Sequence, residues 1–171
     1  LNDQIAHNNN VDIEDTLVRG NFMWKDGVKD TEVIWVPSHK GRFLLSWIPE
    51  KQLQNRWVLK NNIFGGRSKH PLNEDLGCLG ADSYDINAVV DSKIINTENG
   101  SEYDLGSKGA IVGFTKFTMK NIPSNFPFLL YNARPETAEI FFEDCLMSCV
   151  FFGMPILIEN NKPRLLYHFL N

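Results

Sequence analysis

The chain has 171 residues, of which 43% are hydrophobic, with a net charge of −4 and a pI of about 5.5. The acidic balance excludes a bulk basic surface for nucleic acid, so such binding would need local basic clusters and a bridging metal. No apolar run approaches the roughly 20 residues of a membrane-spanning helix, and the polar N-terminal residues lack the apolar core of a signal peptide. We therefore expect a soluble intracellular protein with one ordinary core.

The N-terminal part is polar at first and then rich in strand-forming residues. Residues 1–20 are rich in asparagine and predict a flexible lead-in. Residues 21–74 predict a β-hairpin and linker extension, because two β-rich runs, 32–36 and 42–47, flank the turn sequence Pro37-Ser38-His39-Lys40-Gly41.

The rest of this extension mixes a helix signal with a basic stretch. Pro49 at a first helical position predicts a short helix over 49–56. Residues 60–72 contain two glycines and several basic residues, which indicates a loop with local positive charge. Arg67 and Lys69, together with Lys40, are candidates for contacts to DNA phosphates, although such charges are also explained by solvation alone.

Residues 75–171 give a steadier pattern. The nearly continuous apolar run 76–81 predicts a buried strand. A polar stretch, 91–109, predicts a surface loop or hairpin, and residues 110–118 and 126–132 predict two further strands.

A helix signal follows from Pro135 to Phe152, and Gly153 and Pro155 end it. Residues 154–158 then predict a buried strand, and Pro163 begins a last helix. The order strand, strand, strand, helix, strand, helix predicts an α/β unit with a mixed sheet.

Several side chains in and before this helix can be assigned roles from the pattern. Cys145 and Cys149 lie four residues apart on its apolar face without a CxxC motif, which favours buried reduced thiols. Glu143 and Asp144 fall on the polar side and are expected to be solvated. Arg134 is a candidate phosphate contact, or alternatively an ion-pair partner of the acidic residues in the first turn.

Two predicted strands end in carboxylates. Asp82 follows the strand 76–81, and Glu159 follows the strand 154–158. If these strands are parallel neighbours, both carboxylates reach the sheet edge where ligands of open α/β sheets gather. There they would bind Mg²⁺ or Mn²⁺, with Asp85 as a further metal ligand. In the alternative, Asp82 and Asp85 are turn residues and Glu159 caps a strand.

A paired metal site of this kind suits phosphodiester hydrolysis. One ion lowers the pKa of the attacking water while a second ion, about 3.5–4 Å away, stabilises the leaving oxygen. The sequence offers no convincing Ser-His or Cys-His arrangement for a protein nucleophile, which agrees with this chemistry.

Three segments carry a family resemblance: Gly-Ala-Asp-Ser-Tyr-Asp at 80–85, Ala-Arg-Pro-Glu-Thr-Ala-Glu at 133–139 and Pro-Ile-Leu-Ile-Glu-Asn-Asn at 155–161. Together they resemble the C-terminal nuclease domain of tailed-phage terminase large subunits. The likeness is greatest to terminases of phages from gut Bacteroidetes. It covers roughly residues 20–171.

The resemblance implies an RNase H-like mixed β-sheet with packed helices, preceded by the N-terminal β-hairpin extension. It implies a divalent-metal-dependent endonuclease that cuts concatemeric viral double-stranded DNA during genome packaging, using two Mg²⁺ or Mn²⁺ ions. Asp82 corresponds to the first catalytic carboxylate and Glu159 to the second. The third would lie beyond Asn171, so the core over 75–171 would be truncated, and the resemblance leaves open whether the isolated fragment is active.

The resemblance also implies a larger setting. The chain has no GxxxxGK[ST] motif, so the ATPase domain would belong to the full-length protein, with the portal and the small terminase subunit as partners in the cytoplasm of the infected bacterial host. Two other readings stay open. One is a different RNase H-like nuclease such as a junction resolvase, and the other is a fragment that docks to DNA or to the portal without catalysis.

Overall fold

The computed structural model describes residues 17–83, 93–96, 101–104, 108–118, 122–159 and 164–170. These residues form a mixed α/β fold with one seven-stranded mixed sheet, two separate two-stranded sheets and two α-helices. None of the helices in the described ranges combines the length and the apolar character needed to cross a membrane.

The elements in chain order are β1 (Val18–Trp24), β2 (Val33–Pro37), β3 (Phe43–Leu45), β4 (Trp57–Asn61), β5 (Arg67–Pro71), β6 (Gly77–Asp82), β7 (Lys93–Asn96), β8 (Ser101–Asp104), β9 (Gly109–Thr115), β10 (Pro127–Ala133), α1 (Ala138–Phe152), β11 (Ile156–Ile158) and α2 (Arg164–Leu170). The large sheet has the order β11-β6-β9-β10-β3-β1-β2. Only the β11–β6 pair in it is parallel.

The predicted core elements are confirmed within a few residues at each end. β6, β9 and β10 form an antiparallel meander, α1 follows, and β11 returns beside β6. α1 ends at Gly153, whose backbone adopts the left-handed conformation at φ 58° that glycine tolerates best. The predicted polar excursion contains β7 and β8, which pair antiparallel.

The predicted hairpin between 32–36 and 42–47 is wrong. Both strands exist, but each pairs with β1, which lies between them and begins at Val18 inside the predicted lead-in. The connection between β2 and β3 therefore crosses β1. Gly41 allows the crossing, because a Cβ there would lie 2.3 Å from the carbonyl oxygen of Gly20.

Residues 49–72 also differ from the prediction. The expected helix is a single 3-10 turn at Lys51–Leu53. The expected loop is the antiparallel hairpin β4–β5, which forms its own sheet with Asn61 opposite Arg67. Its turn contains Gly65 at φ 80°, a conformation that supports a tight reversal between two strands.

α1 is buried on more than one side. Besides the apolar face that carries Cys145 and Cys149, its buried residues include Asp144, Met147, Ser148 and Phe151. Cys145 and Cys149 are buried free thiols, as predicted, and burial raises the pKa of Cys149 to about 12.

The prediction that Asp144 is solvated is wrong. Its side chain has no exposed surface, and it accepts two hydrogen bonds from Arg42, at 2.6 Å from Nε and at 2.8 Å from Nη2. Burial raises the pKa of Asp144, and the hydrogen bonds from Arg42 oppose that rise. The pair links β3 to α1 across the core. Glu143, partly buried, meets Lys29 at 2.9 Å and accepts a hydrogen bond from the indole of Trp24.

We predict that Asp144→Asn lowers the free energy of unfolding by about 1.5–3 kcal/mol, because it weakens two charge-assisted hydrogen bonds and leaves the half-buried guanidinium of Arg42 without its counter-charge. Chemical denaturation monitored by circular dichroism measures this loss. The double variant Arg42→Met, Asp144→Leu should recover most of it, since it removes both charges. Glu32→Gln, which breaks an exposed ion pair with Lys25, is the control and should leave the midpoint unchanged. Equal midpoints for wild type and Asp144→Asn would contradict the assignment.

Candidate metal centre

Asp82 and Glu159 lie level with each other on adjacent parallel strands. The register pairs Leu157 with Gly80 and Ile158 with Ala81. The ladder continues one step further, since the backbone N–H of Glu159 donates to the carbonyl oxygen of Ala81 at 3.0 Å. Neighbouring strands lie about 4.8 Å apart, so the two carboxylates leave the sheet side by side. The predicted parallel pairing is confirmed.

Both carboxylates point to the open face of the sheet. Along β6, Leu79 and Ala81 are buried in the core, whereas Asp82 is exposed on the alternate side. On β11, Leu157 is 73% exposed, and Glu159 follows it on the same side. The period-two alternation of the two strands thus delivers an acidic pair to solvent.

A groove of about 460 Å³ lies over this part of the sheet. Its lining consists of Gly80, Ala81, Asp82, Ala110, Val112, Leu157, Ile158 and Glu159. The floor beside the carboxylates is made of small residues, because Ala110 is the register partner of Asp82 and a Cβ on Gly80 would meet nothing within 4 Å. The groove therefore has room for an ion and for a bulky anion above it.

The donor chemistry of this pair fits a hard divalent cation. Two carboxylates at one sheet edge are the oxygen ligands that Mg²⁺ and Mn²⁺ prefer, with the remaining positions left to water and phosphate. Within the described residues, no cluster of three or more His, Cys, Asp or Glu side chains is arranged to hold a metal. Asp85, the predicted auxiliary ligand, lies outside the described residues.

Arg134 lies at the same end of the strands as the acidic pair. It directly follows β10, whose last residue, Ala133, pairs with Gly109 beside the site. A second cation at this edge, Lys108, was not singled out by the sequence analysis. It is exposed and directly precedes β9, the strand next to Asp82. Its place became visible only from the pairing of β9 with β6.

The other predicted DNA contacts lie elsewhere. Arg67 and Lys69 belong to β5, whose end joins the start of β6, opposite to Asp82. Asn73 fixes this end by donating through its side chain to the carbonyl of Phe152 at 2.6 Å. Lys40 lies in the β2–β3 connection, at least three strand spacings or about 14 Å across the sheet from β6. None of these three cations joins the acidic pair.

Comparisons with protein-family models, with curated proteins and with solved structures gave no match for this chain. The geometry of the Asp82–Glu159 edge is therefore the basis for any functional assignment.

Proposed function

We propose that this chain is a divalent-metal-dependent DNA endonuclease domain with an RNase H-like core, of the kind found in phage terminase large subunits. The observation that carries the proposal is the parallel register of β6 and β11, which sets Asp82 and Glu159 side by side on an open sheet face.

The order of the core elements supports the RNase H-like assignment. The meander β6–β9–β10 is followed by α1, and β11 then pairs in parallel with the first strand of the meander. This arrangement puts the first carboxylate at the end of the first core strand and the second at the end of the strand after the helix. Both positions agree with those implied by the three resembling segments.

Each side chain at the edge has a distinct part in the proposed reaction. Asp82, on the strand between β9 and β11, would hold both ions, and Glu159 would hold one of them. Bound Mg²⁺ or Mn²⁺ would supply the Lewis acidity that activates water and stabilises the leaving oxygen. Lys108 and Arg134 lie at the same edge, where they would orient the DNA backbone over the groove.

In a polypeptide extended past Asn171 to include the third carboxylate implied by the resemblance, we predict that Asp82→Asn and Glu159→Gln each slow Mn²⁺-dependent nicking of supercoiled plasmid DNA by on the order of 100-fold or more, because each removes a metal ligand. Asp75→Asn is the matched control, since this exposed aspartate lies at the opposite end of β6. It should nick at the wild-type rate.

Equal nicking by the extended wild type and by its Asp82→Asn and Glu159→Gln variants would reject the proposal. A branched four-way junction, offered beside linear duplex, separates the two nuclease classes. Preference for the junction would favour a resolvase over a packaging nuclease. Binding of duplex without any metal-dependent cutting would favour a docking role.

A second prediction concerns metal binding without DNA. Mn²⁺ should raise the melting temperature of the wild type, since a ligand that binds only the folded state stabilises it.

The Mn²⁺-dependent shift should disappear in both variants and persist in Asp75→Asn. Differential scanning fluorimetry over a range of Mn²⁺ concentrations measures all four proteins. An identical shift in every variant would mean that the ion binds somewhere else.

A further inference from the structure

Two large apolar side chains at the turn of the β4–β5 hairpin are exposed to solvent instead of being packed in the core. Ile63 is 92% exposed and Phe64 is 90% exposed, the two highest values among the large exposed hydrophobic residues of the described chain. Every residue from 59 to 67 is exposed. The end of the hairpin therefore projects from the protein as an arm, and its strands of five residues correspond to about 17 Å of extended chain.

The tip of this arm has a defined conformation. The side-chain oxygen of Asn62 accepts hydrogen bonds from the backbone N–H of Phe64 at 3.0 Å and of Gly66 at 2.9 Å. The backbone of Asn62 also bonds to Gly65 and to Gly66. These bonds hold Ile63 and Phe64 outward at the turn. The turn therefore loses little conformational entropy when a partner binds.

The arm is basic in an acidic protein. Residues 57–71 contain Lys60, Arg67 and Lys69 but no acidic residue, whereas the whole chain has a net charge of −4. Lys60 is engaged by Glu74. Arg67 and Lys69 lie opposite Asn61 and Leu59 in the register, so they share one face of the hairpin directly behind the tip.

From this geometry we infer that the β4–β5 arm binds duplex DNA and inserts Ile63 and Phe64 between base pairs from the minor groove. Apolar wedges on projecting elements unstack base steps in this way, and flanking cations hold the adjacent phosphates. The inference rests on the proposed function, which makes duplex DNA the partner. It adds a second contact at the end of β6 opposite the acidic pair.

Charge favours a nucleic acid over an apolar protein groove as the occupant. An apolar protein groove could accept Ile63 and Phe64 without contacting any cation. It would therefore not account for the presence of Arg67 and Lys69 on one face behind them. An anionic membrane would match the same charges, so vesicles form a separate arm of the test.

The test uses a duplex of about 30 base pairs with 2-aminopurine at successive positions, since its emission rises when a base unstacks. Binding is followed by fluorescence anisotropy at several salt concentrations in EDTA, so that no cleavage occurs. The wild type should raise the emission at one step. The double variant Ile63→Ser, Phe64→Ser should lose this rise and bind about tenfold more weakly.

Two further variants separate the tip from the charges. The double variant Arg67→Gln, Lys69→Gln should make the negative slope of log affinity against log salt less steep by about 2, because two phosphate contacts are lost. Phe117→Ser, which alters a 59% exposed phenylalanine elsewhere, is the matched control and should behave like the wild type. Melting temperatures establish that every variant is folded.

An unchanged emission and affinity in the tip variant would overturn the inference. So would tip-dependent binding to phosphatidylserine vesicles combined with tip-independent binding to DNA. A protein that unstacks DNA but never cuts it with Mn²⁺ would defeat the nuclease proposal alone. One that cuts DNA without unstacking it would defeat only the wedge.

Discussion

The parallel ladder between β6 and β11 is the constraint on which the candidate site depends. Because side chains alternate along a strand, a shift of one residue in this register would turn Glu159 away from Asp82 and toward the core face. A parallel pair also needs a long connection, and its last part is α1, which carries the chain from β10 back across the sheet to β11. The burial of α1 in the core therefore does more than stabilise the fold, since it fixes where β11 returns and at which level its final carboxylate emerges.

The N-terminal strands are an integral part of the same sheet. β3 pairs with β10, and Arg42, just before β3, reaches the buried Asp144 on the crossover helix. A buried ion pair contributes modest net stability but a large penalty when one partner is lost, so it favours this one arrangement of strand and helix over alternatives. The extension and the crossover that positions Glu159 are thereby coupled through a single contact in the core.

The sequence was sufficient to predict those secondary-structure elements that depend on a single local pattern. β6, β9, β10, α1 and β11 were all predicted, because their apolar runs, prolines and glycines act within a few residues. The failures involve partners that are distant in the chain. Asp144 meets Arg42 across 102 residues, so helical periodicity alone placed it on the polar side. β1 lies between β2 and β3 in the sheet, and no turn motif in the sequence indicates this arrangement. Lys108 comes close to Asp82 only because β9 pairs with β6. The basic residues of β5 led to the prediction of a loop where the structure has a strand.

The most direct test of the central claim, that Asp82 and Glu159 share one divalent-ion site, is anomalous diffraction from crystals of this chain soaked in Mn²⁺. An anomalous peak at about 2.1–2.2 Å from carboxylate oxygens of both residues is the expected result. A fully occupied Mn²⁺ site elsewhere, with no peak at this edge, would contradict the claim. So would an ion bound by only one of the two carboxylates.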